Sequence, residues 1–120
     1  MSKKSKILVV DDEAVFSTLI SSSLTRAGFD VRSAGDGSRA IEDGRTFKPD
    51  LLFCDWLLRD GKTGLDVARA LRRENSSLKV VIVTGLPEKA EAGLRGFPVS
   101  CLIEKPCDSR EVVQAIRSLI

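Results

Sequence analysis

The hydrophobic positions of this chain fall into five short aliphatic runs, and the segments between them have a helical period. The runs are Lys6–Val10, Val31–Ala34, Leu51–Cys54, Val80–Thr84 and Val99–Ile103. The first, third and fourth runs are continuous in apolar residues, which is typical of central strands covered on both faces. The second run, VRSA, is mixed and predicts an edge strand.

Helix signals follow the runs. After the first run, apolar residues recur about every 3.6 residues up to Gly28, a residue type that commonly ends helices. The second helix is expected to end near Phe47-Lys48-Pro49, and the third to begin after Thr63-Gly64. Pro87 indicates the first turn of a short fourth helix, Glu88–Leu94, and Asp108 can cap the fifth helix. Strand–helix alternation repeated five times predicts an α/β fold, in which helices cover both faces of a five-stranded parallel sheet.

Polar residues stand where four of the predicted strands end. They are Asp11, Asp12, Asp55, Thr84 and Lys105, which is followed by Pro106. Ligands of open parallel sheets bind outside the carboxyl ends of the strands. We therefore expect these side chains to share one site.

Three carboxylates and an ammonium at one edge favour phosphate chemistry. Crowded carboxylates repel each other, so they require raised pKa values or a cation, and hard oxygen ligands favour Mg²⁺, with Mn²⁺ as a substitute. Asp55 is the natural nucleophile because carboxylates accept phosphoryl groups. Taken alone, the Asp11–Asp12 pair is equally well explained as a helix cap.

Composition excludes several other classes of function. The chain has 120 residues with 42% hydrophobic residues, and we expect one domain over residues 1–120 with a solvated tail at residues 1–5. A net charge of +2 gives no reason to expect nucleic acid or membrane binding, and no apolar run approaches the roughly 20 residues of a membrane span. The three cysteines lack metal-ligand spacing, and there is no histidine for zinc or acid–base chemistry. We expect a cytoplasmic protein.

The segments KILVVDDE, PDLLFCD, VIVTG and LIEKP, in this order, resemble the signature of response-regulator receiver domains of two-component signalling. The resemblance implies a flavodoxin-like, doubly wound (βα)5 sheet of strand order 2-1-3-4-5. It also implies a signalling module, not an enzyme, that assists its own phosphorylation and dephosphorylation. The implied partners are a histidine kinase or histidine phosphotransfer protein and a downstream protein target or covalently attached domain, with no nucleic acid contact from this domain.

The same resemblance implies a role for each site residue. Asp55 resembles the phosphoacceptor, and Thr84 and Lys105 resemble the residues that contact the phosphoryl group. The implied magnesium ligands are Asp11, Asp12, Asp55 and the backbone carbonyl of Leu57. The Lys105–Pro106 bond resembles the family's cis peptide, although only about 5–6% of such bonds are cis in folded proteins.

Three features depart from the family pattern. The loop WLLRDGKTG after Asp55 lacks the common proline four residues on and is one residue longer, as in receivers of hybrid kinases. Leu102 stands where many relatives have Phe or Tyr, and Gly93 interrupts a short fourth helix. Leu102 and Gly93 are both expected to affect how phosphorylation is transmitted from the site to the rest of the domain. Trp56, next to the acceptor, is equally well explained as packing at the edge of the site or as shielding it.

Two alternatives remain open from the residues. A metal-dependent phosphohydrolase with an aspartyl nucleophile would need an acid two residues after Asp55, where Leu57 stands, and a substrate cap. A flavodoxin-like electron carrier would need a Ser/Thr-rich loop where this chain has DDEA. The sequence does not distinguish a stand-alone regulator from a domain of a longer protein.

Overall fold

The computed structural model describes residues 3–120, so Met1 and Ser2 of the predicted tail lie outside the described residues. Lys3 and Lys4 are exposed, whereas the carbonyl of Ser5 already accepts a hydrogen bond from the Asp30 N–H (2.9 Å). The strands are β1 (Lys6–Val10), β2 (Asp30–Ala34), β3 (Leu51–Asp55), β4 (Lys79–Thr84) and β5 (Cys101–Glu104). The helices are α1 (Ala14–Arg26), α2 (Gly37–Phe47), α3 (Gly64–Arg72), α4 (Pro87–Leu94) and α5 (Ser109–Leu119).

The five strands form one parallel sheet in the order β2-β1-β3-β4-β5. Both the predicted α/β class and the strand order implied by the resemblance are therefore confirmed. β2 lies at one edge, as its mixed composition predicts, and β1, β3 and β4 are central. Because β1 and β3 are neighbours and Val10 is in register with Cys54, the residues that follow them emerge side by side.

Each face of the sheet has its own core, which explains the continuous apolar runs. In β1, Leu8 and Val10 pack beneath α2, α3 and α4, whereas Ile7 and Val9 pack beneath α1 and α5. All four side chains are fully buried. Since successive strand residues point to opposite faces, a strand covered on both sides needs apolar residues at every position.

Helix ends coincide with the capping signals in the sequence. Thr63 forms a capping box with Asp66 at the start of α3, and Asp108 forms one with Glu111 at the start of α5. Gly28 follows α1 with φ +103°, a value that side chains disfavour. Among residues 3–120, no helix is long and apolar enough to cross a bilayer.

The last strand differs from its prediction. β5 begins at Cys101 instead of Val99 and extends to Glu104. The Ser100 hydroxyl accepts a hydrogen bond from the Val80 N–H at 3.3 Å. The Ser100 N–H also donates to the Val80 carbonyl at 2.7 Å, so Ser100 already contacts β4 ahead of Cys101, the first regularly paired residue. Aliphatic content alone does not reveal such a contact.

Leu102 is only partly buried, although it lies in register with the fully buried Ile82 of β4. Ile82→Ala should lower the free energy of unfolding by about 2–5 kcal/mol, the usual cost of truncating a buried aliphatic residue. Leu102→Ala should cost less than about 2 kcal/mol, because water can enter the space that it leaves. Urea unfolding measures both changes, and equal losses would contradict the difference in burial.

Candidate functional site

Three carboxylates meet at the carboxyl ends of β1 and β3. Asp11 and Asp12 follow β1 directly, and Asp55 is the last residue of β3. One oxygen of each lies within 4.8 Å of the others, and the three could hold a metal ion together. Asp11 is 2% exposed, so its charge is almost fully removed from water. The sequence prediction that these side chains share a site agrees with this geometry.

Asp11 has two separate contacts, one for each carboxylate oxygen. Its Oδ1 accepts a hydrogen bond from the Glu13 N–H at 2.9 Å, just ahead of α1. Its Oδ2 accepts one from the Lys105 ammonium at 3.0 Å. The N-cap residue of α1 is Glu13, and among residues 3–120 no side chain caps this helix. The geometry therefore favours the cluster over the helix-cap interpretation of the acidic pair.

The Lys105 ammonium lies among the carboxylates. Its Nζ is 3.0 Å from Asp11, 3.0 Å from Glu13 and 3.4 Å from Asp55. It also lies 4.6 Å from the centre of the Phe16 ring, within cation–π range. The Lys105–Pro106 bond is cis, as the resemblance implies. One positive charge is thus shared by three negative ones.

Burial and crowding change the proton affinities of this cluster. Burial raises the pKa of Asp55 to about 6; Lys105 opposes the shift, and the charges of Asp11 and Asp12 add to it. Burial alone would lower the pKa of the Lys105 ammonium. Its hydrogen bonds with Glu13 and Asp11 and the charge of Asp55 outweigh that effect and raise this pKa above its ordinary value. The Lys105 ammonium therefore stays charged at neutral pH, whereas the Asp55 carboxyl titrates near pH 6.

Thr84 lies on the same cleft as Asp55 and Lys105, at the end of β4. It is 4% exposed, and its hydroxyl oxygen accepts a hydrogen bond from the Leu86 N–H at 2.9 Å. The structure thus brings the five polar residues predicted from the strand ends to one edge of the sheet. The hydroxyl is held by its own loop and not by the carboxylates.

Leu57 lies in a small hairpin that follows Asp55. It faces Thr63 in an antiparallel bridge, which is closed by backbone bonds on either side, from Gly64 N–H to Trp56 carbonyl (2.8 Å) and from Leu58 N–H to Lys62 carbonyl (3.0 Å). Leu57 and Thr63 are therefore a non-hydrogen-bonded pair, in which the N–H and C=O of Leu57 point away from the strand of Thr63. The hairpin therefore leaves the Leu57 carbonyl free for another ligand.

Trp56 packs against α4, where Gly93 makes room for it. A Cβ built on Gly93 would lie 2.2 Å from Cζ2 of the indole, which is far inside contact distance. The ring also packs against the core beneath α2, α3 and α4 and lines the cleft beside Asp55. Trp56 thus both packs at the edge of the site and covers part of the cleft beside Asp55. Gly93 is explained by this contact and not by helix propensity.

Three side chains at or beside the site were not identified from the sequence. Glu13 and Phe16 contact the Lys105 ammonium, and Asp60 of the hairpin accepts hydrogen bonds from the start of α2. The acidic run DDE gives a signal for Glu13, because an acid two residues after Asp11 can reach the same cation. The sequence gives no comparable signal for Asp60, whose partners lie 22 and 23 residues away.

The match to known proteins identifies the family. Residues 7–117 match the response regulator receiver domain. The chain belongs to this family. Receiver domains are signalling modules of two-component systems and not classical enzymes, so the phosphohydrolase and electron-carrier alternatives are set aside.

Relatives of this receiver domain include longer regulators. It is 37% identical over 116 residues to the probable transcriptional regulatory protein TcrX of Mycobacterium tuberculosis, covering 95% of this chain and 49% of that protein. It is 33% identical over 117 residues to the alkaline phosphatase synthesis transcriptional regulatory protein PhoP of Bacillus subtilis, covering 96% and 48%. The chain therefore spans about half the length of these relatives.

Solved structures of other receivers have the same fold. A CheY-like receiver domain protein from Methanospirillum hungatei superposes with a TM-score of 0.88 at 20% identity, covering 97% of this chain and 93% of that one. Response regulator TrrA from Thermotoga maritima, solved in complex with Mg²⁺-BeF, has a TM-score of 0.84 at 24% identity, covering 97% and 99%. The fold persists although most residues differ.

The raised pKa of Asp55 predicts how the stability of the metal-free protein depends on pH. The folded state keeps this proton up to about pH 6, whereas the unfolded chain loses it near pH 4. Stability should therefore fall as the pH rises through this window. Asp55→Asn should be more stable than the wild type by about 1–3 kcal/mol at pH 7.5 in EDTA, and the difference should shrink towards pH 4.

Urea unfolding at several pH values measures this difference. Glu42→Gln, on the exposed surface of α2, controls for the general loss of one negative charge and should have little effect. A stabilisation by Asp55→Asn that is the same at every pH would show that the titration of Asp55 is not its cause.

Proposed function

We propose that this receiver domain takes a phosphoryl group from a partner phosphohistidine onto Asp55 in a Mg²⁺-dependent step, and that the phosphoryl group changes a protein-interaction face. The main observation is the grouping of Asp11, Asp12 and Asp55 within 4.8 Å, with the Lys105 ammonium 3.4 Å from Asp55. A nucleophile, a cation site and a fixed positive charge are the components that phosphoryl transfer requires.

The donor atoms fit a hard divalent cation. Asp11, Asp12 and Asp55 offer carboxylate oxygens, and Leu57 offers a backbone carbonyl that its hairpin does not use. Such oxygen sets suit Mg²⁺, and Mn²⁺ would serve similarly. A bound cation would neutralise charge on the phosphoryl oxygens. The Mg²⁺-BeF complex of TrrA, a relative in fold, supports this assignment.

Residues of this chain supply the nucleophile and a contact to the phosphoryl group. An Asp55 carboxylate oxygen forms a bond to phosphorus while the bond from phosphorus to the donor imidazole nitrogen breaks, and the imidazole leaves. Lys105 then contacts a phosphoryl oxygen, which is a charge-assisted hydrogen bond. Its contact with Glu13 is easily exchanged, because Glu13 is 66% exposed. Water later attacks phosphorus, the bond from phosphorus to the Asp55 oxygen breaks, and inorganic phosphate leaves as the carboxylate is restored.

The output face of this receiver is formed by α4, β5 and α5. Thr84 moves toward the phosphoryl group, and partly buried Leu102 fills the space that it leaves. Trp56 contacts Gly93 of α4 directly, so a change at the end of β3 reaches that helix without an aromatic ring at position 102. We therefore expect a population shift in the backbone of residues 88–97.

The proposed partners follow from the phosphoryl donor and from the relatives. A histidine kinase or a histidine phosphotransfer protein supplies the phosphoryl group, since this chain has no histidine of its own. The relatives TcrX and PhoP are named as transcriptional regulators, which suggests an attached effector domain or a separate protein target. Residues 1–120 would act as one receiver domain in the cytoplasm, with no nucleic acid contact of its own.

Phosphorylation of Asp55 is directly testable. With Mg²⁺ and acetyl phosphate or phosphoramidate, intact mass should show one added phosphoryl group, and EDTA should prevent the addition. Asp55→Asn should remain unmodified, because its amide is not a nucleophile. Asp12→Ala should need more Mg²⁺ for the same rate, since one oxygen ligand is lost. Labelling of Asp55→Asn at the wild-type rate would overturn the assignment of the phosphoacceptor.

The switch role of Lys105 and Thr84 predicts a separate result. When beryllofluoride mimics the phosphoryl group, hydrogen exchange should change in residues 88–103 of the wild type. Lys105→Ala should still accept a phosphoryl group yet show a much smaller exchange response, and Thr84→Ala should show a milder loss. Lys79→Ala, at the opposite end of β4, is the control and should respond as the wild type does. A wild-type response in both switch variants would exclude these roles.

A further inference from the structure

The turn of the hairpin after Asp55 is fastened to α2 by Asp60. Its Oδ1 accepts a hydrogen bond from the Gly37 N–H (3.3 Å), and its Oδ2 accepts from the N–H (2.9 Å) and hydroxyl (3.1 Å) of Ser38. The cap residue of the helix, Asp36, takes the Arg39 N–H at 2.8 Å. The otherwise unpaired N–H groups at the start of α2 are thus shared between its own cap and the hairpin.

The surface of α2 is shaped to receive this turn. A Cβ built on Gly37 would lie 2.7 Å from Cβ of Lys62, which is inside contact distance. Because this contact involves the base of the Lys62 side chain, rotation of that side chain would not relieve it. Only glycine lets the turn lie this close to the helix.

The hairpin is also held on its other side. Nη2 of Arg59 donates a hydrogen bond to the backbone carbonyl of Asp12 at 3.0 Å. The turn itself is closed by the Leu58–Lys62 bond, and Lys62 N–H donates to Asp60 Oδ1 at 3.3 Å. Residues 58–62 are therefore tied to the start of α2 and to the acidic loop after β1. Leu57 lies between these ties and Asp55.

We propose that Asp60 is a positioning residue for the cation site, because it fixes the hairpin whose Leu57 carbonyl completes the oxygen ligands. The proposal rests on the function proposed above. Without Asp60, the three carboxylates keep their places on the sheet, but the carbonyl must be ordered when the cation binds, which costs conformational entropy. Residues that orient metal ligands typically change metal affinity by about 10–100-fold.

The first test compares two caps of the same helix. Asp60→Ala should raise the Kd for Mg²⁺ about tenfold, measured by calorimetry or by Trp56 fluorescence. The phosphorylation rate at saturating Mg²⁺ should stay within about twofold of the wild type, because the loss lies in assembling the site and not in the chemical step. Asp36→Ala removes a comparable hydrogen bond from α2 but none from the hairpin, so it should leave the Kd unchanged.

A second pair of variants tests the mechanism without deleting the Asp60 side chain. Gly37→Ala keeps the Asp36 cap of α2 but pushes the turn away from the helix, so it should weaken Mg²⁺ binding. Asp60→Asn keeps one acceptor oxygen and should have an intermediate Kd. Amide exchange at Leu58 and Gly64 in the metal-free protein should accelerate in Asp60→Ala and in Gly37→Ala, and not in Asp36→Ala.

The outcomes separate this inference from the proposed function. A wild-type protein that binds no Mg²⁺ would overturn both. A wild type that binds Mg²⁺ and is phosphorylated, together with an Asp60→Ala variant of unchanged Kd, would overturn the positioning role alone. An equal loss of affinity in Asp36→Ala would also overturn it, because the effect would then follow from the stability of α2.

Discussion

The carboxylates of Asp11, Asp12 and Asp55 are forced together because β1 and β3 are neighbouring parallel strands that end at the same level. Burial makes their mutual repulsion stronger than it would be in water. In the described structure the Lys105 ammonium offsets part of this repulsion, but one positive charge among several carboxylates leaves the cluster negative. The location of the lysine follows from this crowding, and burial together with the charges of Asp11 and Asp12 raises the pKa of Asp55.

The sheet and the central polar residues could be predicted because each depends on local features of the sequence. Continuous apolar runs specify strands that are covered on both faces, and the polar residue that ends each run must emerge at the carboxyl edge. Strand order came from the family resemblance, since periodicity does not specify which strands are neighbours. The starts of α3, after Thr63-Gly64, and of α5, at the cap Asp108, were predicted because such signals are local in the sequence.

Contacts between distant side chains could not be predicted. Whether Glu13 reaches Lys105 depends on how α1 is oriented above the sheet, and the role of Asp60 depends on the distance between the hairpin and α2. The contact between the Ser100 hydroxyl and the Val80 N–H likewise joins residues 20 positions apart. In each case two segments far apart in the chain must first be placed by the core before a polar contact can form between them.

The loop after Asp55 illustrates a different way of ordering a connection. A proline would restrict the backbone and remove one N–H, whereas Arg59 stands at the position where relatives commonly have proline. Here the order comes from hydrogen bonds, through Arg59 to the Asp12 carbonyl and through Asp60 to α2. The geometry of this loop therefore depends on the positions of α2 and of the loop after β1, to which it is hydrogen-bonded.

The contact between Trp56 and Gly93 limits which substitutions can occur at these two positions during evolution. The indole occupies the volume that any side chain at position 93 would need. A larger residue at position 93 therefore requires either a smaller residue at position 56 or a displacement of the indole. Among homologous sequences, the volumes of these two residues are expected to vary inversely, so the pair should change together.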